Sequence, residues 1–297
     1  MKFLLIVNPA AGQGRPQEAV AAIQAGLGPL LGGVVVTQSA GDAARAARSA
    51  AIYGCDGVLV AGGDGTINEA INGLLTAENR ACPLPLGVLP LGTQNILASE
   101  LGLPVSDPAA TLALLRAGRT RLLDVGRAGT RFFVLMAGFG FDAVVVRDVL
   151  GAVKGLIGPA AYALATVSAL AKCRSTAITL TLDGEVIRSE AFLVVVANVS
   201  SYAVRRVKVA PFAAPDDGWL DVCVFERPRR ARVGFASQMM AVVARRHLRD
   251  PRVRLYRART ITLDSDPPVQ GQLDGESIGG TPVEISVVPR ILPVFVP

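Results

Sequence analysis

The chain has 297 residues, 51% of them hydrophobic and only 5% aromatic, with a net charge of +6. That composition excludes a disordered polypeptide and allows one large or two moderate domains with a substantial core. Four widely spaced cysteines (Cys55, Cys82, Cys173, Cys223) and a single histidine, His247, leave zinc chemistry and Ser-His or Cys-His catalysis poorly supported. His247 lies among arginines and is expected as a solvated helix-end residue. No apolar stretch reaches about 18 uninterrupted residues, so no transmembrane helix is expected. The apolar run in Met1–Pro9 is too short for an export signal, which points to a cytoplasmic protein. Arginines concentrate between Arg227 and Arg259, an expected anionic partner surface.

In chain order, residues 2–7 read as a buried strand ending in the turn Asn8-Pro9-Ala10-Ala11-Gly12-Gln13-Gly14. A helical pattern follows over 16–27, a short strand over 34–37 and an Ala-rich helix over 42–53. Residues 58–74 are the stretch around which the rest is organised. An apolar run, 58–61, enters the turn Gly62-Gly63-Asp64-Gly65-Thr66, and Ile67, Ala70, Ile71 and Leu74 then keep helical spacing. Glycines let backbone approach a ligand closely, and a helix N-terminus offers free N–H groups to an anion. Asp64 is unfavourable beside a phosphate unless a metal or a proton transfer needs it. A fourth strand, 86–89, runs into Pro90-Leu91-Gly92-Thr93-Gln94-Asn95 and a helix over 96–101. Such turns at the C-terminal ends of parallel strands form the ligand crevice of an open α/β sheet, and three of them favour a nucleotide site.

After about Gly126 the pattern changes to short β-rich runs at 131–136, 177–182, 192–197, 220–225, 260–264 and 283–288. These read as a mainly antiparallel sandwich or open barrel, interrupted by helices over 160–172 and 231–248. The expected domains are therefore 1–125, α/β, and 126–297, β-sandwich, with the extreme C-terminus free to return to the first.

Six blocks in order carry a family resemblance. They are Asn8-Pro9…Gly12, Gly62-Gly63-Asp64-Gly65-Thr66 with Asn68-Glu69, Pro90-Leu91-Gly92-Thr93…Asn95, Gly138-Phe139-Gly140-Phe141-Asp142-Ala143, Asp217-Gly218-Trp219-Leu220-Asp221-Val222, and Asp274-Gly275-Glu276. The chain resembles the diacylglycerol kinase catalytic-domain family, specifically its bacterial soluble lipid kinases. The resemblance implies an α/β domain like those of NAD kinase and phosphofructokinase, a β-sandwich domain, and ATP bound in the cleft between them. It implies that Asn8, Pro9, Ala10, Ala11, Gly12, Thr37, Gly62, Gly63, Asp64, Gly65, Thr66, Asn68, Glu69 and Thr93 line the nucleotide. It also implies a structural Mg²⁺ held by the Asp217 carboxylate and the Ala214 and Trp219 carbonyls. Glu276 would accept the proton of a lipid hydroxyl, with Asp274 and Asp64 orienting it or holding a catalytic Mg²⁺. No Walker A lysine is present, so the glycine-turn amides, the metal and an arginine such as Arg15 would take its place. Two departures stand out. Ile96 follows Asn95 where many relatives carry Asp, and residues 202–209 place Arg205, Arg206 and Lys208 where relatives are glycine-rich.

The expected partners are a lipid substrate and, peripherally, an anionic membrane surface, with no nucleic acid; a homodimer is compatible with the reading. NAD kinase shares GGDG, and a nucleotide-binding regulatory protein without transfer activity is the non-enzymatic alternative. The segment 233–243 is a candidate membrane-facing helix. Its apolar residues Val233, Phe235, Ala236, Met239, Met240 and Val243 are flanked by Arg229, Arg230, Arg232, Arg245, Arg246 and Arg249.

Overall fold

A computed structural model describes the chain except residues 12–15, 78–82, 142–173 and 203. The expectations for Gly12, Arg15, Asp142, Ala143 and a helix over 160–172 lie outside the described residues. The chain divides into two compact units, Met1–Val125 with Val288–Pro297, and Gly126–Val287.

In the first unit β1 (Phe3–Val7), β2 (Leu31–Val36), β3 (Gly57–Gly62) and β4 (Leu86–Pro90) form a parallel sheet in the order β4-β3-β1-β2. β1, β3 and β4 are buried along their whole length, as strands covered on both faces require, and this is why they read as continuous apolar runs. The last residues of β17 (Val283–Phe295) join the same sheet, with Val294 in parallel register beside Leu86. Helices α1 (Pro16–Leu27), α2 (Asp42–Ser49), α3 (Asp64–Leu75), α4 (Ile96–Glu100) and α5 (Pro108–Ala117) complete the unit. Ile23 and Leu27 of α1 share a core with Leu112 and Leu115 of α5, Phe3 and Phe295. The two phenylalanine rings meet edge to face at 5.7 Å. α5 was not among the expected elements. Its start is set by Asp107, whose Oδ1 accepts the Ala110 N–H at 3.0 Å, with Pro108 next, and its end by Gly118 at φ 68°.

The second unit is antiparallel. β9 (Glu185–Ala197) pairs along its first half with β8 (Thr176–Leu182), and along its second half with β7 (Met136–Gly140) and β12 (Leu220–Glu226). β8 continues to β14 (Thr260–Asp266) and then to the start of β17, while β12 pairs β13 (Val253–Ala258). β15 (Gln270–Leu273) pairs both β7 and β16 (Glu276–Gly280). Inward residues alternate, as in Ile178-Leu180-Leu182, Leu220-Val222-Val224 and Ile261-Leu263, and they build one apolar core.

α6 (Ala231–Val243) ends earlier than the expected 248. Arg245 takes a left-handed φ of 55°, and the N–H groups of Arg245 and Arg246 return to the carbonyls of Val242 (2.9 Å) and Ala241 (2.7 Å). That closes the helix as a Schellman turn and sends the chain back toward the sheet. His247 is consequently buried, not solvated. Its Nε2 donates to the Val209 carbonyl at 2.9 Å, its ring stacks 6.1 Å from Phe225, and burial holds its pKa below the usual imidazole range. Phe235 is likewise a core residue, stacked on Phe192 at 4.7 Å and edge-on to Phe141 at 5.1 Å. It therefore leaves the candidate membrane face, whereas Val233, Met240 and Val243 stay exposed. No helix among the described residues is long and apolar enough to cross a membrane.

Candidate active-site residues

β1 is flanked by β2 on one side and β3 on the other, so the strand order reverses direction between β1 and β3. The crevice outside the carboxyl ends at such a switch is where open α/β sheets bind ligands. Asn8 follows β1 there. Its Nδ2 donates to Thr66 Oγ1 at 2.8 Å and its Oδ1 accepts the Ala10 N–H at 2.9 Å, so the Asn8-Pro9-Ala10-Ala11 turn is tied to the first turn of α3. The Thr37 N–H bonds the Val7 carbonyl at 2.8 Å, which places the end of β2 beside the same turn. Gly63 and Gly92 approach so closely that a Cβ on Gly92 would lie 2.6 Å from Gly63 Cα; two glycines are needed for the turns to touch. Gly65 differs. Among the described residues a Cβ there would meet nothing within 4 Å, and α3 has no side-chain N-cap. An anion could thus approach the α3 N-terminus, and the residues present fit a phosphate group. Thr93 is exposed on the neighbouring turn. Asn95, buried with a left-handed φ of 47°, keeps Oδ1 without a hydrogen-bond partner among the described residues.

Two acidic residues of this unit have partners that the sequence did not reveal. Asp64 accepts N–H bonds from Ile96 (3.1 Å) and Leu97 (3.2 Å), capping α4 from outside, because Asn95 supplies no side-chain cap. Burial raises its pKa, against the opposing pull of those N–H groups. The charge in the glycine turn therefore has a structural reason besides metal or proton chemistry. Glu69, expected to line the nucleotide, accepts the N–H groups of Gly41 (2.8 Å) and Ala43 (3.2 Å) at the start of α2. Asn68 is buried and accepts from Asn72 Nδ2 at 3.0 Å. Asp64→Asn puts an amide NH₂ against one of the two α4 N–H groups. It should lower stability by about 1 kcal/mol, the scale of a lost helix cap, with the fold retained. A melting curve unchanged from the parent would remove the capping role.

In the second unit Asp274-Gly275 forms the two-residue turn between β15 and β16, with φ of 47° and 89°. Paired positive φ values suit an Asp-Gly hairpin. Both Asp274 carboxylate oxygens are used. Oδ2 accepts the Val134 N–H at 2.8 Å, and Oδ1 accepts those of Leu135 (2.9 Å) and Met136 (2.8 Å). Asp274 thus latches the bend between β6 (Arg131–Phe133) and β7. Glu276 opens β16, is half-exposed, and pairs through Oε2 with Arg131 of β6. Arg131 was not among the expected site residues. Only its strand was legible, because the pairing spans 145 positions.

The Asp217 loop has the hard-oxygen character that a divalent cation requires. Asp217 Oδ1 accepts the Trp219 N–H at 3.1 Å and Oδ2 pairs with Arg257, whose guanidinium lies 5.7 Å from the centre of the Trp219 ring. Asp221 is 1% exposed, and neither of its carboxylate oxygens has a hydrogen-bond partner among the described residues. Burial pushes its pKa up to about 6, which Arg257 Nε, 3.7 Å away, only partly offsets. A buried carboxylate whose oxygens accept no hydrogen bond from the described residues fits a cation. Asp221 was visible in the Asp217–Val222 block but was not singled out as a ligand. No cluster of three or more acidic, His or Cys side chains occurs among the described residues, so further ligands would have to be backbone carbonyls such as those of Ala214 and Trp219.

Residues 2–128 match the diacylglycerol kinase catalytic domain, and residues 136–296 match the YegS C-terminal NAD kinase beta sandwich-like domain. A diacylglycerol kinase of Bacillus subtilis (strain 168) is 31% identical over 261 residues, covering 88% of this chain and 84% of the relative. One from Staphylococcus aureus (strain JH9) is 30% identical over 262 residues, covering 88% and 81%. The solved structure of a putative diacylglycerol kinase from Bacillus anthracis str. Sterne superposes with a TM-score of 0.82 at 27% identity, covering all of this chain and 97% of that one. With both units matched and identity above 30% along most of its length, the chain belongs to the diacylglycerol kinase family and is a kinase with an alcohol acceptor.

Proposed function

We propose that the chain is an ATP-dependent lipid kinase that moves the γ-phosphoryl group to a hydroxyl of a membrane lipid, diacylglycerol-like or sphingoid-like. The observation that carries this reading is the uncapped α3 N-terminus at the sheet's switch point, with open space at Gly65 and glycines fixing the turns around it. Backbone N–H groups there would hold the phosphates, and Asn8, Thr66 and Thr37 would shape the wall around them. Glu276 takes the proton of the lipid hydroxyl as that oxygen forms its bond to the γ-phosphorus and the bond to ADP breaks. Asp274 fixes the β15–β16 turn from which Glu276 projects. A divalent cation, when bound, would neutralise phosphate charge; Asp217 and Asp221, with the Ala214 and Trp219 carbonyls, would hold one at the loop before β12. The enzyme would work peripherally, at the cytoplasmic face of a membrane.

The test is incubation with γ-labelled ATP and a total lipid extract, followed by identification of the labelled product. A labelled lipid phosphate is expected. Labelled NADP from added NAD, with no labelled lipid, would make the chain an NAD kinase instead, and no transfer to either would leave a nucleotide-binding protein.

A further inference from the structure

Where α6 ends, the chain builds an open cavity of about 430 Å³, lined by Lys208 and Pro211 and by the turn Arg245–Arg249. Among the described residues its cations are Lys208, Arg245, Arg246 and Arg249, and no carboxylate lines it. Elsewhere in the same segment Arg227 pairs with Glu190, Arg257 pairs with Asp217, and Arg259 lies over the Trp219 ring at 4.4 Å. Among the described residues no carboxylate pairs with Arg246, Arg249 or Lys208. The arginine-rich segment therefore holds structural pairs and, beyond α6, a cluster of cations around the cavity.

The backbone makes this a side-chain site. The N–H groups of Arg245 and Arg246 are spent on closing α6, and the helix C-terminus repels an anion, so the side-chain cations must dominate. Arg245 holds a left-handed conformation that glycine adopts without strain, yet the sequence places a cation there. The segments that reach the cavity also carry exposed apolar residues. Phe212 next to Pro211 is 68% exposed, and α6 presents Val233, Met240 and Val243 outward at 72%, 68% and 60%. These three are spaced i, i+7 and i+10 on one face, opposite Phe235, Gln238 and Val242, which point inward.

We propose that this corner is a docking site for an anionic phospholipid bilayer. The phosphate of a headgroup enters the basic cavity while Phe212, Met240 and Val243 sink into the boundary of the acyl chains. Charge complementarity selects the occupant: four clustered cations with exposed apolar residues on the same segments match an anionic lipid surface, which offers phosphate and hydrocarbon at adjacent depths. The site deepens the lipid-kinase reading and rests on it for its purpose. It narrows the docking cations from the arginines on both flanks of α6 to those after it, joined by Lys208 of β11 (Val204–Lys208).

The full chain is sedimented, without nucleotide, at physiological salt with vesicles of phosphatidylcholine alone or of phosphatidylcholine with one quarter phosphatidylglycerol. The parent should bind only the second. Each arginine near such a surface contributes about five-fold to partition, so Arg246→Gln with Arg249→Gln should lose roughly 25-fold. Met240→Ser with Val243→Ser should also weaken binding. Arg245→Gly should weaken it without lowering the melting temperature, which separates docking from unfolding. Inorganic phosphate is titrated in parallel. Phosphate binding that depends on Arg246 and Arg249 without vesicle binding would make this a site for soluble phosphates and overturn the proposal. Equal binding of the double arginine variant and the parent, or equal binding to both vesicles, would overturn it too. Turnover on a short-chain soluble acceptor reports on the kinase reading separately, since neither Arg246 nor Arg249 is needed for it.

Discussion

Glu276→Gln is expected to lower kcat by about 10²–10⁴, the contribution typical of a positioned general base, with little change in ATP affinity. Glutamine keeps the shape of the side chain and one acceptor for Arg131, but it cannot take a proton. Position favours the assignment. Glu276 is the first residue of β16, directly after the rigid Asp274-Gly275 turn, and its side chain is 43% exposed. Arg131, its ion-pair partner, is comparably exposed at 40%. A pair open to solvent contributes little to folding, so a large loss of turnover in this variant would be chemical and not a loss of fold. Single-turnover transfer from labelled ATP, with a separate nucleotide titration, makes the measurement. A raised nucleotide Kd with kcat intact would make Glu276 a binding residue.

The first unit was legible because its signals are local. Apolar runs broken by Gly, Asn and Thr turns need no distant partner to be read, and β1, β3 and β4 stand close to where that pattern puts them. What the sequence hid are carboxylates satisfied across long separations. Asp64 caps a helix 32 residues on, Glu69 caps one 28 residues back, and Asp274 binds N–H groups 138 to 140 residues away. Read locally, Asp64 and Asp274 looked like unexplained charges, and chemistry was the available reason, while Glu69 was placed by the resemblance alone. His247 failed in the opposite direction. Its arginine neighbours suggested solvent, but one left-handed residue turned its ring into the core. The Asp-Gly pair of the β15–β16 hairpin carried a usable turn signal that was read only for its charges.

Asp274→Ala should be the most damaging single change to the second unit. Val134, Leu135 and Met136 are all buried, so their N–H groups lose the carboxylate and have no ready route to water. A buried donor left without a partner costs about 1–3 kcal/mol, which puts the sum at roughly 3–6 kcal/mol after partial relaxation. Alanine also meets the left-handed φ of 47° poorly, adding about 1 kcal/mol, whereas asparagine tolerates that region. Asp274→Asn keeps one acceptor oxygen but turns an NH₂ toward the remaining N–H groups, so it should lose about half as much. Against a total stability of about 5–15 kcal/mol, the alanine variant is expected to be largely unfolded or close to it, and urea denaturation orders the parent, Asn and Ala forms. If Asp274→Ala unfolds at the parent's midpoint, the latch carries no stability, and a lost activity would then report directly on catalysis. If it unfolds early, inactivity of that variant says nothing about metal or base chemistry. Glu276→Gln then becomes the substitution that isolates the chemical step, because Glu276 leaves the β6–β7 bend untouched.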